Sequence, residues 1–314
     1  MVIVVEGHPL TKTITSTEEL YKCYPGLVEK GFSFAQQAEV QVPSHFTLFV
    51  AQGEYGVVPA KDTKVKIVGS DDATTCHVVV IRHPSGTTAV AHFDGRKNEE
   101  DALKAIVEKI HRIEDDTSDL ELFVVGGYQP EEGSREAKRN ESELLSLKIL
   151  RMFSHHKCTF NLSLWCTGRL NTRTGMDGPM PIVYGVGVDM SNGLLFPAHF
   201  TSHEPNLPLR SASRWVSEGM LCDLYDHKNG TICIEPFYYK DMETFSYYVN
   251  LPDKVLLKNF STSPRVEPPR FCDELRKVFQ VFVDHPDPHN TLFPDNQGKI
   301  YGMNAEGLWE QLQY

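Results

Sequence analysis

Short β-branched and aromatic runs bounded by polar turn residues dominate the first third of the chain, and they predict strands over Val2–Val5, Phe46–Val50, Glu54–Val58 and Val65–Val68. Cys76–His83 and Thr87–Phe93 form the strongest hairpin signal, joined by Pro84-Ser85-Gly86. Helical spacing of apolar residues appears over Asn98–Ile113 and Arg135–Phe153, on either side of a strand Leu120–Val125 that Gly126-Gly127 ends. Ser16–Lys30 reads as a capped helix with Glu18 and Glu19 in its first turn and Pro25 as an interruption. Farther on, Thr159–Thr167 and Ile182–Asp189 read as strands. Ser191-Asn192-Gly193 turns the latter into Leu194–His199, and Lys228-Asn229-Gly230 joins Leu221–Tyr225 to Thr231–Glu235. A last helix is expected over Pro269–Val283, between Pro268-Pro269 and His285-Pro286, and His155-His156 ends the long helix before it. Strands clustered in hairpins with few intervening helices predict an α+β sandwich and not a doubly wound parallel sheet.

The composition narrows the class. With 314 residues, 40% of them hydrophobic, and no shift in composition along the chain, one domain over residues 1–314 is expected. A formal charge of -11 argues against a nucleic-acid or anionic-membrane partner and favours cationic ligands, of which an α-ammonium group is one. No stretch approaches the roughly 18 consecutive apolar residues of a membrane span, and Met1–Gly7 lacks the pattern of a signal peptide, so an intracellular protein is expected. The seven cysteines are widely spaced, odd in number and without a Cys-x-x-Cys pair, which disfavours a disulfide framework and suits small buried hydrophobes.

One cysteine stands apart. Gly69-Ser70-Asp71-Asp72-Ala73-Thr74-Thr75-Cys76-His77 sets Cys76 where a polar loop meets the strand Val78-Val79-Val80-Ile81. A strand holds such a thiol rigidly while the loop offers backbone N–H groups, the arrangement a cysteine nucleophile needs. His77 is excluded as its base, since adjacent strand residues point to opposite faces. The hairpin supplies a better one. Proline at the first turn position and glycine at the left-handed position place His83 opposite Thr87, which pairs Val78 with His92 and Cys76 with Asp94. His92 then shares a face with Cys76, one diagonal step away. Asp94, Asp72 or Ser70 can each orient the imidazole, and spacing alone leaves the three open. A metal at Cys76, His77, His83 and His92 is disfavoured, because strand alternation separates them by face and no zinc spacing appears.

At these residues the chain closely resembles the protein N-terminal asparagine amidohydrolase family. The matching segments are Gly69–His77, His92 with Asp94-Gly95, Val124-Val125-Gly126-Gly127, Pro181-Ile182-Val183-Tyr184-Gly185, Ser261-Thr262-Ser263-Pro264, Glu267-Pro268-Pro269 and Glu306-Gly307-Leu308-Trp309-Glu310, so the likeness covers most of the chain. The resemblance implies an α-β-β sandwich similar to the cytotoxic necrotizing factor and chemoreceptor glutamine deamidases. It also implies a triad of Cys76 as nucleophile, His92 as base and Ser70 as the orienting group. The implied activity converts an N-terminal asparagine of a protein or peptide to aspartate, feeding an N-degron route to proteolysis, in the cytoplasm and also the nucleus, by a monomer without metal or organic cofactor.

Specificity for a chain terminus needs a reader of the α-ammonium, and a carboxylate is the natural one because an internal asparagine leaves it unpaired. Glu267 is the first candidate, with Asp71 and Asp72 behind it; an alternative role for Glu267 is to favour the N-terminus of the last helix. Backbone N–H groups around Thr75 and Cys76 suit an oxyanion, and Ser261 with its neighbours suits the wall of a peptide groove. Trp165, Trp215 and Trp309 fit packing better than ligand stacking. Two other classes compete: a cysteine peptidase or acyl transferase using the same Cys-His pair, and a module that binds peptide N-termini without catalysis.

Overall fold

The computed structural model describes residues 3–96, 98–217, 220–240 and 244–313. An eight-stranded mixed sheet forms its centre. From one edge to the other run Cys222–Asp223, Glu54–Val58, Thr88–Phe93, His77–Arg82, Leu120–Gly126, Phe160–Thr167, Ile3–Val5 and His8–Pro9. Leu120–Gly126, Phe160–Thr167 and Ile3–Val5 are parallel neighbours, whereas the pairs around His77–Arg82 are antiparallel. A second, five-stranded sheet is ordered Val40–Val42, Leu195–Phe200, Val186–Asp189, Ile67–Ser70 and Thr47–Phe49. Helices and mixed sheets together make the fold α+β, as the pattern of turns predicts, with parallel pairs that the hairpin signals do not announce.

The large sheet has different neighbours on its two faces. On one, Gly56 has no side chain, and a Cβ there would meet Leu48 of the second sheet at 3.0 Å, so the two sheets lie in contact. On the other, helices Glu99–Glu114 and Glu141–His155 bury apolar stripes that include Leu103, Ile106, Ile110, Ile149 and Phe153. A contiguous apolar core reaches from Ile3 to Trp309 along the sequence. A small four-stranded sheet, Tyr225–Asp226, Thr231–Ile234, Lys299–Met303 and Trp309–Gln311, adjoins the second sheet where Trp309 Nε1 donates to the Thr47 carbonyl at 2.8 Å.

Several predicted elements shift for identifiable reasons. Val65–Val68 is too early: the strand is Ile67–Ser70, so Gly69 and Ser70 belong to the ladder and the loop begins at Asp71. Gly69 permits this, because a Cβ would stand 2.2 Å from the Val186 carbonyl oxygen of the neighbouring strand. The helix expected over Arg135–Phe153 is two, Arg135–Arg139 and Glu141–His155, separated by Asn140 in the left-handed conformation at φ 53°. Pro25 likewise divides the first helical stretch into Thr17–Cys23, capped by Ser16, and Pro25–Ala35. Leu221–Tyr225 is split between the edge strand Cys222–Asp223 and Tyr225–Asp226. The expected first strand begins at Val2, which lies outside the described residues. Helix Leu207–Val216 has no predicted counterpart, and it forms one wall of the cleft described below.

Candidate active site

The hairpin between His77–Arg82 and Thr88–Phe93 has the register read from its turn. Val78 pairs with His92 and His77 with Phe93, the His83 amide donates to the Thr87 carbonyl at 2.8 Å, and Gly86 takes a positive φ of 108°. His77 therefore faces the helices, where its Nε2 lies 2.7 Å from Ser146 Oγ. Burial pushes its imidazole down to about 3, so it sits there neutral. His92 faces the second sheet. Its Nδ1 lies 2.7 Å from Oγ of the fully buried Ser70, at the end of a strand in that sheet. The other ring nitrogen, Nε2, is buried with no hydrogen-bond partner among the described residues.

Cys76 and His92 line a cleft of about 1270 Å³, together with Asp71, Asp72, Thr75, Ser261 and Glu267. Ser70 stands behind His92 and does not line it. The volume accommodates more than one side chain, and part of the wall is apolar: Leu207, Pro208, Trp215, Phe260 and Phe271. Burial raises the Cys76 thiol well above its usual range, with Asp94 and Glu267 adding to the effect. Burial also lowers His92 to about 4. At neutral pH the pair is thus a neutral thiol beside a neutral imidazole.

The loop that carries Cys76 is braced from several sides, by segments widely spaced in sequence. The Ala73 amide donates to the Tyr184 carbonyl at 2.8 Å, and the Gly127 amide to the Cys76 carbonyl at 2.9 Å. Thr75 Oγ1 lies 2.7 Å from Thr262 Oγ1, and Ser263 Oγ donates to Thr74 Oγ1 at 2.8 Å. Gly126 allows a close approach, since a Cβ there would be 2.4 Å from the Cys76 carbonyl oxygen. The Thr75 and Cys76 amides donate to no described residue.

The acidic candidates separate into two groups. Asp71 is buried and saturated: its Oδ1 accepts from the Asp72 amide at 2.7 Å, and its Oδ2 from the Phe200 amide at 2.9 Å and Arg270 Nη2 at 3.0 Å. Asp72, at φ 60°, is held by both Arg270 Nε and Nη2, at 3.0 and 2.8 Å. Burial, then the nearby Asp71 carboxylate, raise its carboxyl to about 6. Among the described residues, Glu267 has no cation paired with it. Its Oε1 accepts from Ser261 Oγ and lies 3.2 Å from Ser263 Oγ, while Oε2 accepts from no described residue. Burial raises this carboxyl to about 7. The helix behind it runs Phe271–Asp284, none of its amides bonds Glu267, and the carboxylate lines the cleft.

Asp94, one of the three possible partners for His92, is engaged elsewhere: it accepts from Arg96 Nε at 2.8 Å and Gln52 Nε2 at 3.0 Å. Asp72, His203 and Glu274 bring ligand atoms within 4.8 Å of one another, yet Arg270 already fills the space between the carboxylates, with Nε 3.8 Å from Glu274. A cation there would have to displace a guanidinium. All seven cysteines are free. Trp165 and Trp309 are buried in packing, while Trp215 packs edge-on against Phe245, Phe260 and Phe279 and also borders the cleft.

Three residues of this site escape sequence reasoning. Arg270 clamps Asp71 and Asp72 from about 200 residues away, and Arg96 and Arg214 line the cleft near Cys76. Only the sign of their charge, complementary to the acidic loop, offered a signal.

Among the described residues, no helix is long and apolar enough to cross a membrane. A family model described as Protein N-terminal asparagine amidohydrolase matches residues 36–311. The Sus scrofa protein N-terminal asparagine amidohydrolase is 32% identical over 315 aligned positions, covering 99% of this chain and 98% of the relative. The Homo sapiens protein of the same name is 31% identical over the same shares, and the Arabidopsis thaliana one 28% identical over 99% of this chain and 92% of its own length. These likenesses span the bracing segments as well as the cleft, and the chain belongs to the protein N-terminal asparagine amidohydrolase family.

Proposed function

We propose that the chain hydrolyses the side-chain amide of an N-terminal asparagine, through a thioester on Cys76, within one domain spanning residues 1–314. The observation that carries this reading is the placement of Cys76 and His92 in one cleft with an uncompensated carboxylate, Glu267. With its proton on Nδ1 and donated to Ser70 Oγ, His92 keeps a lone pair on Nε2, the nitrogen that no described residue occupies. Nε2 takes the Cys76 proton as sulfur attacks the γ-carboxamide carbon, and the Thr75 and Cys76 amides receive the oxyanion. Collapse returns that proton to the leaving nitrogen, which departs as ammonia. Water, deprotonated by the same nitrogen, then cleaves the thioester to give aspartate and the free thiol. None of these steps calls for a metal or organic cofactor.

Glu267 reads the substrate's α-ammonium. An extra residue ahead of the asparagine removes that charge and leaves a half-buried carboxylate unpaired, which accounts for selection of a terminus. Glutamine carries one methylene more, worth only about 1–3 kcal/mol by fit alone, so its rejection rests on misplacing the carbonyl relative to Cys76. Ser261 lines the groove and positions Glu267. The architecture is of the α-β-β type of the cytotoxic necrotizing factor and chemoreceptor glutamine deamidases. In a cell the aspartate product would mark its protein for an N-degron route, in the cytoplasm and the nucleus, with the enzyme acting as a monomer.

Mass spectrometry of two peptides tests the reaction. An asparagine-initiated peptide should gain the mass difference between amide and acid, and the same peptide with one residue added in front should not. Chain cleavage would instead favour a cysteine peptidase, and an unchanged peptide would favour a binding module; either result removes this reading.

A further inference from the structure

The carboxylates that bear on Cys76 are Asp94, Glu99 and Glu267. Asp94 is paired with Arg96 at 2.8 Å, and Glu99 with Lys148 at 2.7 Å. Glu54, the acidic group beside the Arg214 helix, is bonded to Arg210. Arg214 itself pairs with no carboxylate among the described residues. Its Nη1 donates to the Gln52 carbonyl at 2.6 Å, and its Nε is buried without a partner. A half-buried guanidinium without a counter-ion, its Nε shut off from water, is costly, and such a group in a cleft points to negative charge that arises there during function.

The Gln52-Gly53 turn fixes where that cation sits. The Gly53 amide donates to the His92 carbonyl at 3.1 Å, and Gln52 Nε2 donates to Asp94, so the turn is bonded to the strand that carries the imidazole. Gly53 takes a positive φ of 79°, and a Cβ there would lie 2.5 Å from Arg214 Cδ, so the arginine stem passes directly over the glycine. Arg214 is thereby tethered to the backbone of His92, and it lines the same cleft as Cys76. Of the charged groups acting on the thiol, Asp94, Glu99 and Glu267 oppose its ionisation and Arg214 favours it.

We propose that Arg214 is a further functional residue of this site, a positioning residue whose guanidinium is the electrostatic partner of the Cys76 thiolate. It acts at the step in which His92 Nε2 takes the thiol proton, when sulfur carries the negative charge that three surrounding carboxylates repel. The inference rests on Cys76 being the nucleophile of the proposed reaction.

The test is alkylation of Cys76 by iodoacetamide, followed across pH by peptide mass spectrometry on the full-length protein. It reads the thiolate directly and needs no substrate. Arg214→Gln should slow alkylation about tenfold at neutral pH and move the midpoint of the profile up by about one unit, while Arg214→Lys should restore most of the wild-type rate. With the asparaginyl peptide, Arg214→Gln should lower kcat and leave KM nearly unchanged. Should Arg214→Gln lose its native near-ultraviolet circular dichroism, Arg214→Met and Arg214→Lys carry the comparison. Coincident profiles for wild type and the uncharged variant, or a lysine variant as slow as the uncharged one, would overturn the proposal. If wild type alkylates as expected but leaves the peptide unchanged, the proposed reaction fails; if it deamidates the peptide while the profiles coincide, only the role of Arg214 fails.

Discussion

Ser70 and His92 meet from different sheets, with Ser70 Oγ 2.7 Å from His92 Nδ1, although only 22 residues separate them in sequence. Removing the hydroxyl leaves a buried ring nitrogen without a partner and frees the imidazole to turn. Ser70→Ala should therefore lower kcat by about 10- to 100-fold and cost about 1–3 kcal/mol of stability, with KM little changed. Steady-state kinetics and urea denaturation check both. His92→Ala should abolish turnover altogether, and a fully active variant would remove His92 from the mechanism.

Glu267 gives the site a pH signature in binding. Its carboxyl is raised by burial to about 7 from an ordinary 4.5, so the anion proposed to pair with the α-ammonium is lost as pH falls through 7. KM for an asparaginyl peptide should rise as pH drops from 8 to 6, and Glu267→Gln should raise KM about tenfold or more at pH 8 while flattening that dependence. The sign for stability is opposite. A raised carboxyl stabilises the fold below pH 4.5, and the contribution disappears as pH climbs through 7, so Glu267→Gln should gain stability relative to wild type at pH 8 but not at pH 5. Kinetics and thermal melts at the two pH values separate the effects.

Asp71 belongs to the scaffold. It accepts from two backbone amides and from Arg270, and His199 Nδ1 lies 3.1 Å from its Oδ2, with its side chain 1% exposed, so Asp71→Ala leaves two N–H groups without their acceptor while Arg270 keeps only Asp72 and Glu274. A loss of about 3 kcal/mol is expected in urea denaturation, with the surviving folded enzyme keeping a near-normal KM. A stable variant with a raised KM would instead assign Asp71 to the substrate.

Gly126→Ala tests the bracing of the nucleophile. The added Cβ would lie 2.4 Å from the Cys76 carbonyl oxygen, on a residue at φ 139°. The expected cost is about 1–3 kcal/mol, together with a fall in kcat larger than the unfolded fraction explains. Activity that tracks only the folded fraction would mean that the loop tolerates the shift.

The hairpin shows how far local sequence reaches. Pro84-Ser85-Gly86 determines a register, the register selects His92 over His77, and both statements concern residues within one turn of each other. Glu267 and Ser261 were legible as residue types in a motif, but their contact with each other and with the cleft is tertiary. The orienting partner of His92 was left open among three residues because strand Ile67–Ser70 enters from the second sheet, and no spacing encodes how two sheets stack. Asp71 and Asp72 stand among the candidate ammonium readers because their guanidinium partner lies 199 and 198 residues away. Arg214 was invisible for the same reason, its carbonyl anchor at Gln52 being 162 residues distant. Helix Leu207–Val216 buries Arg210 together with Leu209 and Ala212, and the acceptors of that guanidinium, Glu54 and the Phe49 carbonyl, lie more than 150 residues earlier.

Because imidazole and hydroxyl are carried by separate sheets, the reaction gauges how those sheets are aligned. A slide of one against the other by a fraction of a residue repeat would part Ser70 from His92 while leaving each ladder intact. Apolar contacts such as that between Leu48 and Gly56, which never meet a peptide, therefore set the tolerance within which the chemistry runs. Substitutions there are a route to tuning turnover without touching the cleft.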